Sequence, residues 1–245
     1  RAEEFAFSEK GVREVASKVM GRLRNTMSLY KMYAGEIEHS SNTNSENVLD
    51  RWIIARLQEL LEDVSNGLER YELDRAARPI FDFVDDLSTW YIRRSRDRYK
   101  GDDNGDKKHA LSTTRYVLET VSKIIAPFTP FVAEELWQDL RETDSSLEES
   151  VHLAQWPELL KDNFDDTCLT DGKYIDVLDG MGLVRNIVSE GLQLRAEAKI
   201  KVRQALQSFT YAIAPTIEGN QSYYNLIKEE LNIKDLINGN DIGFD

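Results

Sequence analysis

Cysteine is nearly absent from this chain of 245 residues, where Cys168 is the single thiol. One thiol cannot close an internal disulfide, and it excludes any zinc site built on cysteines of this chain. Such usage predicts a reducing, cytoplasmic setting. Proline (5) and glycine (13) are also scarce, which disfavours a turn-rich β architecture and favours long helices. The three histidines, His39, His109 and His152, lie far apart with no ligand partner at metal spacing. No apolar run approaches the roughly 18 to 20 residues that span a bilayer, and no signal peptide opens the sequence. The chain begins at Arg1 without an initiator methionine, so an excised piece of a longer polypeptide is expected.

What is present is acid. Lys and Arg number 31 against 44 Asp and Glu, a formal charge of −13. Such a chain repels nucleic acid on average, so any affinity for it must come from a local basic patch. The length suits one large domain or two modest ones, with enough apolar residues for a core.

Helical spacing runs over 8–34, where Val12, Val15, Val19, Leu23, Met27 and Tyr30 recur at three and four. The Ser- and Asn-rich stretch 36–47 has no period and predicts a loop. Asp50 is a candidate N-cap for a helix with the stripe Ile53, Leu57, Leu60, Val64, Leu68 and Tyr71, widened by Ile54 and Leu61. After a break at 72–74, Ala77, Ile80, Phe81, Val84, Leu87 and Tyr91 mark a helix over 75–99, with Pro79 near its first turn. Residues 101–108 read as a loop and 111–126 as a helix; Thr129 and Pro130 then start another, to 141.

Residues 142–172 are acidic and irregular, with a short extended piece at 151–153. A last long helix is expected over 173–198. Phe209, Tyr211 and Ile213 then alternate like a strand, 222–231 reads as a helix and 233–237 as a strand. The expected fold is mainly α: an antiparallel helix bundle followed by a small α+β appendage.

The strongest local signal is DDLSTWYIRRSRDRYK at 85–100. From 93 to 100 it sets five cations against Asp97, a net of +4 in an acidic chain. On a helix Arg93, Arg96 and Lys100 share one face, while Arg94 and Arg98 fall on a neighbouring one. Guanidinium forks suit phosphate, and Trp90 one turn earlier offers a stacking surface for an unpaired base. A solvated charged face beside core aromatics is the plainer alternative. Arg94 sits one heptad after Leu87, which also allows it a structural role at the core edge. A second basic stretch, AEAKIKVRQAL at 196–206, follows Arg195. There Lys199, Lys201 and Arg203 share one side if the segment is extended, or merely favour a helix C-terminus.

Catalytic patterns fail one after another. Aligning Gly105 of DDNGD with the glycine of a calcium loop puts Lys100 and Leu111 at ligand positions. Gly180 and Gly182 follow no strand and lack a third glycine. The adjacent pairs Asp85–Asp86 and Asp165–Asp166 read as solvated acids. No active site is expected.

Several segments carry a resemblance. FSEKGVREV (7–15), LDRWIIARLQ (49–58), DFVDDLSTWYIRRSRDR (82–98), APFTPFVAEELW (126–137), SVHLAQWPE (150–158) and AEAKIKVRQAL (196–206) stand in the order seen in isoleucyl-tRNA synthetases. The resemblance is greatest to the eukaryote-like branch and weakens beyond 207. Asp50-Arg51-Trp52 and the Ala-Pro-Phe-Thr-Pro segment are shared with valyl and leucyl relatives; the arginine run and Lys-Val-Arg-Gln point to isoleucine. Thr89 and Ala205 depart from the family's Asn and Pro.

The resemblance implies a helix over 1–35 joining a catalytic core to a class I anticodon-binding helix bundle over 36–145. An acidic connector (146–172) follows, then the last helix with its basic extended segment (173–204) and the start of an appendage (205–245). It implies a non-catalytic, cytoplasmic, monomeric region that binds isoleucine tRNA alongside the catalytic and editing domains of the same polypeptide. It further implies that the fragment holds no cofactor or metal, with ATP and magnesium serving the full enzyme. Arg93, Arg94, Arg96, Arg98 and Lys100 are the implied RNA contacts, joined by Trp90, Lys199, Lys201 and Arg203. The alternatives are the valyl or leucyl counterpart, and a helical scaffold that binds protein and no RNA.

Overall fold

The computed structural model describes residues 8–35, 45–158 and 173–244. The chain divides into two compact units, 1–166 and 167–245. Among the described residues no helix is long and apolar enough to cross a membrane.

Among the described residues of the first unit the regular elements are helices. Helix α1 (Glu9–Val15), a π-helical stretch (Ala16–Gly21) and α2 (Arg22–Ala34) follow without a break. Ser8 caps the start, its side chain accepting from the Gly11 amide at 3.1 Å. The stripe Val19, Leu23, Met27 and Tyr30 is buried, but Val12 is exposed. Steps of four drift by about 40° per turn on an α-helix, and the wider π turn around Val19 offsets that drift.

Helix α3 (Val48–Glu69) buries Ile53, Ile54, Leu57, Leu60, Leu61 and Val64 as its spacing predicts. Its N-cap is Asn47, whose side chain accepts from the Leu49 amide at 2.9 Å. Asp50 is therefore not the cap; it lies in the first turn and is fully buried. Tyr71, expected to close the apolar stripe, is instead 91% exposed. The helix ends there in a Schellman motif, with Tyr71 N–H donating to Leu68 C=O (3.0 Å) and Glu72 N–H to Gly67 C=O (2.8 Å).

The helix expected over 75–99 is three segments in one rod: α4 (Leu73–Asp85), a π-helical stretch (Asp86–Ile92) and α5 (Arg93–Lys100). Pro79 falls in the second turn of α4, and Phe83 rather than Phe81 enters the core. Helix α6 (Asn104–Ile125) begins well before residue 111. The reason is Asp103, whose carboxylate accepts from the amides of Gly105 (2.9 Å) and Asp106 (3.1 Å). Thr129 and Pro130 start α7 (Pro130–Arg141) as expected. Residues 151–153 form turns instead of an extended piece. They are tied down by Glu134, which accepts from the Val151 amide at 3.0 Å and from Ser150 Oγ at 2.8 Å. The loops expected at 36–44 and 159–172 lie outside the described residues.

The described residues of the second unit run from α8 (Lys173–Glu197) through β1 (Leu206–Tyr211), α9 (Gln221–Leu231) and β2 (Ile233–Asn238) to β3 (Gly243–Phe244). Strand order is β2-β1-β3; β1 runs parallel to β2 and antiparallel to β3. Parallel pairing requires a crossover, and α9 supplies it. Gly180 and Gly191 let α9 approach α8: a Cβ would meet the Tyr223 ring at 2.6 Å and Leu231 at 2.7 Å. Phe209, Ile217, Ile227 and Leu231 form the centre of this small core.

Candidate nucleic-acid interface

The basic run is placed by a buried ion cluster. Arg98 donates to Asp50 through two nitrogens, Nη1 to Oδ1 at 2.7 Å and Nη2 to Oδ2 at 2.8 Å. The same guanidinium donates to Asp106 from Nε (2.9 Å) and Nη2 (2.6 Å). Tyr91 Oη (2.8 Å) and Ser45 Oγ (2.6 Å) complete the shell around Asp50. Each charge suits its place. Asp50 and Asp106 sit in the first turns of α3 and α6, and Arg98 sits in the last turn of α5, so each complements a helix dipole. Burial alone lowers the affinity of Arg98 for its proton, but the hydrogen bonds to Asp50 and Asp106 outweigh it and hold its pKa above the ordinary value. The hydrogen bond from Arg98 keeps the Asp106 carboxyl below its ordinary value. Burial pushes the Tyr91 phenol well up.

This geometry sorts the residues of the run. Arg98, expected at phosphate, is spent on two carboxylates and acts from within the fold. Arg94 and Trp90 are half-buried. Arg93, Arg96 and Lys100 are exposed on one face, as the helical period requires, while Ser95 and Tyr99 turn inward. The Arg93 guanidinium lies 6.0 Å from the Trp90 ring centre, and its Nε donates to Thr89 C=O at 2.7 Å. A cation beside an indole leaves a surface able to meet both a phosphate and a base.

The second stretch is not extended. Lys199 adopts a left-handed conformation, φ 58°, and ends α8 in a Schellman motif. Its N–H donates to Ala196 C=O (3.0 Å) and the Ile200 N–H to Arg195 C=O (2.8 Å). A further turn closes from Gln204 N–H to Lys201 C=O at 2.9 Å. Lys199, Lys201 and Arg203 are exposed, and among the described residues none of them forms an ion pair. They reach solvent from a compact turn and not from alternate positions of a strand.

Composition and period singled out Asp50 as a cap and Arg195 as the lead of the second basic stretch, but not the ionic and polar partners that bury them, nor the role of Asp106. Arg195 left a signal: it continues the buried series Val184, Val188, Gly191 on α8, where a charge is out of place. Among the described residues, no three His, Cys, Asp or Glu are grouped to hold a metal. Asp85 and Asp86, an adjacent acidic pair, bind Arg22 and Arg56 respectively. Asp165, Asp166, His39 and Cys168 lie outside the described residues.

Residues 50–210 match the family model described as the anticodon-binding domain of tRNA ligase. The isoleucine–tRNA ligase of Chlamydia trachomatis serovar L2b is 38% identical over 96% of this chain and 22% of its own length. That of Clostridium acetobutylicum is also 38% identical, over 96% of this chain and 22% of its own. That of Chlamydia abortus is 36% identical, over 97% and 22%. The chain thus spans 22% of the length of these curated relatives. The matched region begins at Asp50, the residue on which the ion cluster is built, and it contains both basic stretches. Helical architecture, exposed cations and family match agree, and the chain belongs to the anticodon-binding domain family of tRNA ligases.

Proposed function

We propose that this chain is the anticodon-binding region of an isoleucine–tRNA ligase, positioning isoleucine tRNA for ATP-dependent aminoacylation elsewhere in the same polypeptide. The observation that carries this reading is the co-linear match, 38% identical over 96% of the chain, to isoleucine–tRNA ligases. Residues 1–35 join the catalytic core to the bundle of 36–145, and 146–172 connect it to the last helix, basic turn and appendage. ATP and magnesium are assigned to the catalytic part of the enzyme. A cytoplasmic monomer, with catalytic and editing domains on the same polypeptide, is the expected setting.

In this reading Arg93, Arg96 and Lys100 hold anticodon-stem phosphates, with Arg94 at the edge of that face. Trp90 supports a splayed base beside Arg93. Arg98 contributes by fixing α5. Binding energy spent at the anticodon orients the distant acceptor end, so a non-catalytic region raises the reaction rate.

Fluorescence anisotropy of the chain with isoleucine tRNA and an anticodon-swapped copy, each at 50 and 200 mM salt, tests this. Three phosphate contacts on this face alone predict a loss of at least roughly 20-fold in affinity across that range, with tighter binding to the native anticodon. Salt-independent binding, or none to either tRNA by the chain and by the full-length enzyme, overturns the reading.

A further inference from the structure

Arg195 is 1% exposed and, among the described residues, has no carboxylate partner. Its charge is met by carbonyl dipoles instead. Nη1 donates to Lys201 C=O and Gln204 C=O, both at 3.0 Å, and Nη2 to Asn232 C=O at 3.2 Å. The Phe244 ring centre lies 5.2 Å from the guanidinium carbon. From the α9–β2 junction, Asn232 Nδ2 donates to Val202 C=O at 2.9 Å. Three carbonyls of one short turn, those of Lys201, Val202 and Gln204, are thus drawn inward.

The amides must answer. In a planar trans peptide the N–H points opposite to the C=O, so the N–H groups of Val202 and Arg203 face away from Arg195 and Asn232. Neither amide has an acceptor among the described residues. On this turn Lys199, Lys201 and Arg203 are exposed, and Val202 is 47% exposed. Outward amides joined to three cations form a surface for anions.

We propose that the turn 199–205 is a pre-shaped site for the phosphate backbone of RNA and that Arg195 is its positioning residue; this rests on the tRNA reading above. The fork of arginine is needed because it holds separate carbonyls in one plane, which a lysine ammonium cannot do.

The test compares four forms of the 245-residue chain by anisotropy with isoleucine tRNA and an unrelated tRNA across a salt series. They are the unaltered chain, Lys201→Gln/Arg203→Gln, Arg195→Lys, and the triple variant. Two lost phosphate contacts should reduce the salt slope by about 1.5 to 2 and weaken binding roughly tenfold. The loss should be equal for both tRNAs, since phosphates carry no sequence. Arg195→Lys should reproduce that loss although the net charge is unchanged, and the triple variant should add nothing further. Inorganic phosphate at millimolar concentration should fail to compete, since a free anion meets only one contact.

An unchanged slope in Lys201→Gln/Arg203→Gln overturns the site while leaving the tRNA reading intact. Additive losses in the triple variant overturn the positioning role. No RNA binding at low salt by the unaltered chain and by the full-length enzyme overturns both. Arg195→Lys is read only where circular dichroism matches the unaltered chain; the surface double variant tests the site independently of that fold check.

Discussion

Arg98 and Asp50, 48 residues apart in sequence, face each other through two parallel hydrogen bonds of 2.7 and 2.8 Å, with Asp50 fully buried. Removing one side strands a charge in the interior, which costs about 3–5 kcal/mol. Arg98→Ala should therefore lower stability by that amount in urea unfolding followed by circular dichroism. Arg98→Ala combined with Asp50→Ala should recover part of the loss, because the only charge then left without its partner is Asp106, which is partly exposed and not buried. A double variant less stable than the sum of the singles contradicts this account.

The depressed pKa of Asp106 predicts a pH dependence. Its carboxyl sits below the ordinary 3.8, first through its hydrogen bond from Arg98. A group depressed in the folded state gives stability that is complete above its unfolded value and fades as pH falls through the folded one. Stability should drop below about pH 4, and Asp106→Asn should make that drop shallower. Parallel acid titrations of the two forms, monitored by thermal midpoint, check the sign.

Tyr71 ends α3 at φ 59° with 91% of its surface exposed. A β-carbon in the left-handed region costs roughly 1 kcal/mol, and an exposed ring offers little to offset it. Tyr71→Gly should raise stability by about that amount, since glycine is the usual residue at this position of a Schellman motif. A fall in thermal midpoint would mean that the ring makes contacts worth more than the strain.

Asp103 sets where α6 begins, accepting from two amides of the first turn. Asp103→Ala should cost about 1 kcal/mol, and Asp103→Ser a few tenths. Amide hydrogen exchange of residues 104–107 should speed up in the alanine form alone. Equal exchange in both would place the start of the helix under other control.

The helical fold and the sharing of one face by Arg93, Arg96 and Lys100 were legible because both follow from a period of 3.6 residues; that Arg98 on the neighbouring face turns to the carboxylates of Asp50 and Asp106 was not. Ile53, Leu57, Leu60 and Val64 entered the core where the stripe put them. What escaped depended on partners far away. Asp50 reads locally as a cap, and only Arg98 and Tyr91 explain why a carboxylate can be buried there. Phe83 displaced Phe81 from the core, a choice of register that two neighbouring aromatics do not reveal. The cations at 199–203 were legible as a group, but their turn depends on Arg195 and Asn232, which meet them only in the folded unit.

The pairing of Arg98 with the fully buried Asp50 has a consequence for release. Salt at 0.15 M screens exposed charges beyond about 8 Å but hardly touches a buried pair. Rising ionic strength therefore loosens whatever Arg93, Arg96 and Lys100 hold while α5 keeps its register. On the proposed tRNA reading, the surface lets go without losing its form, and each capture begins from the same geometry as the last.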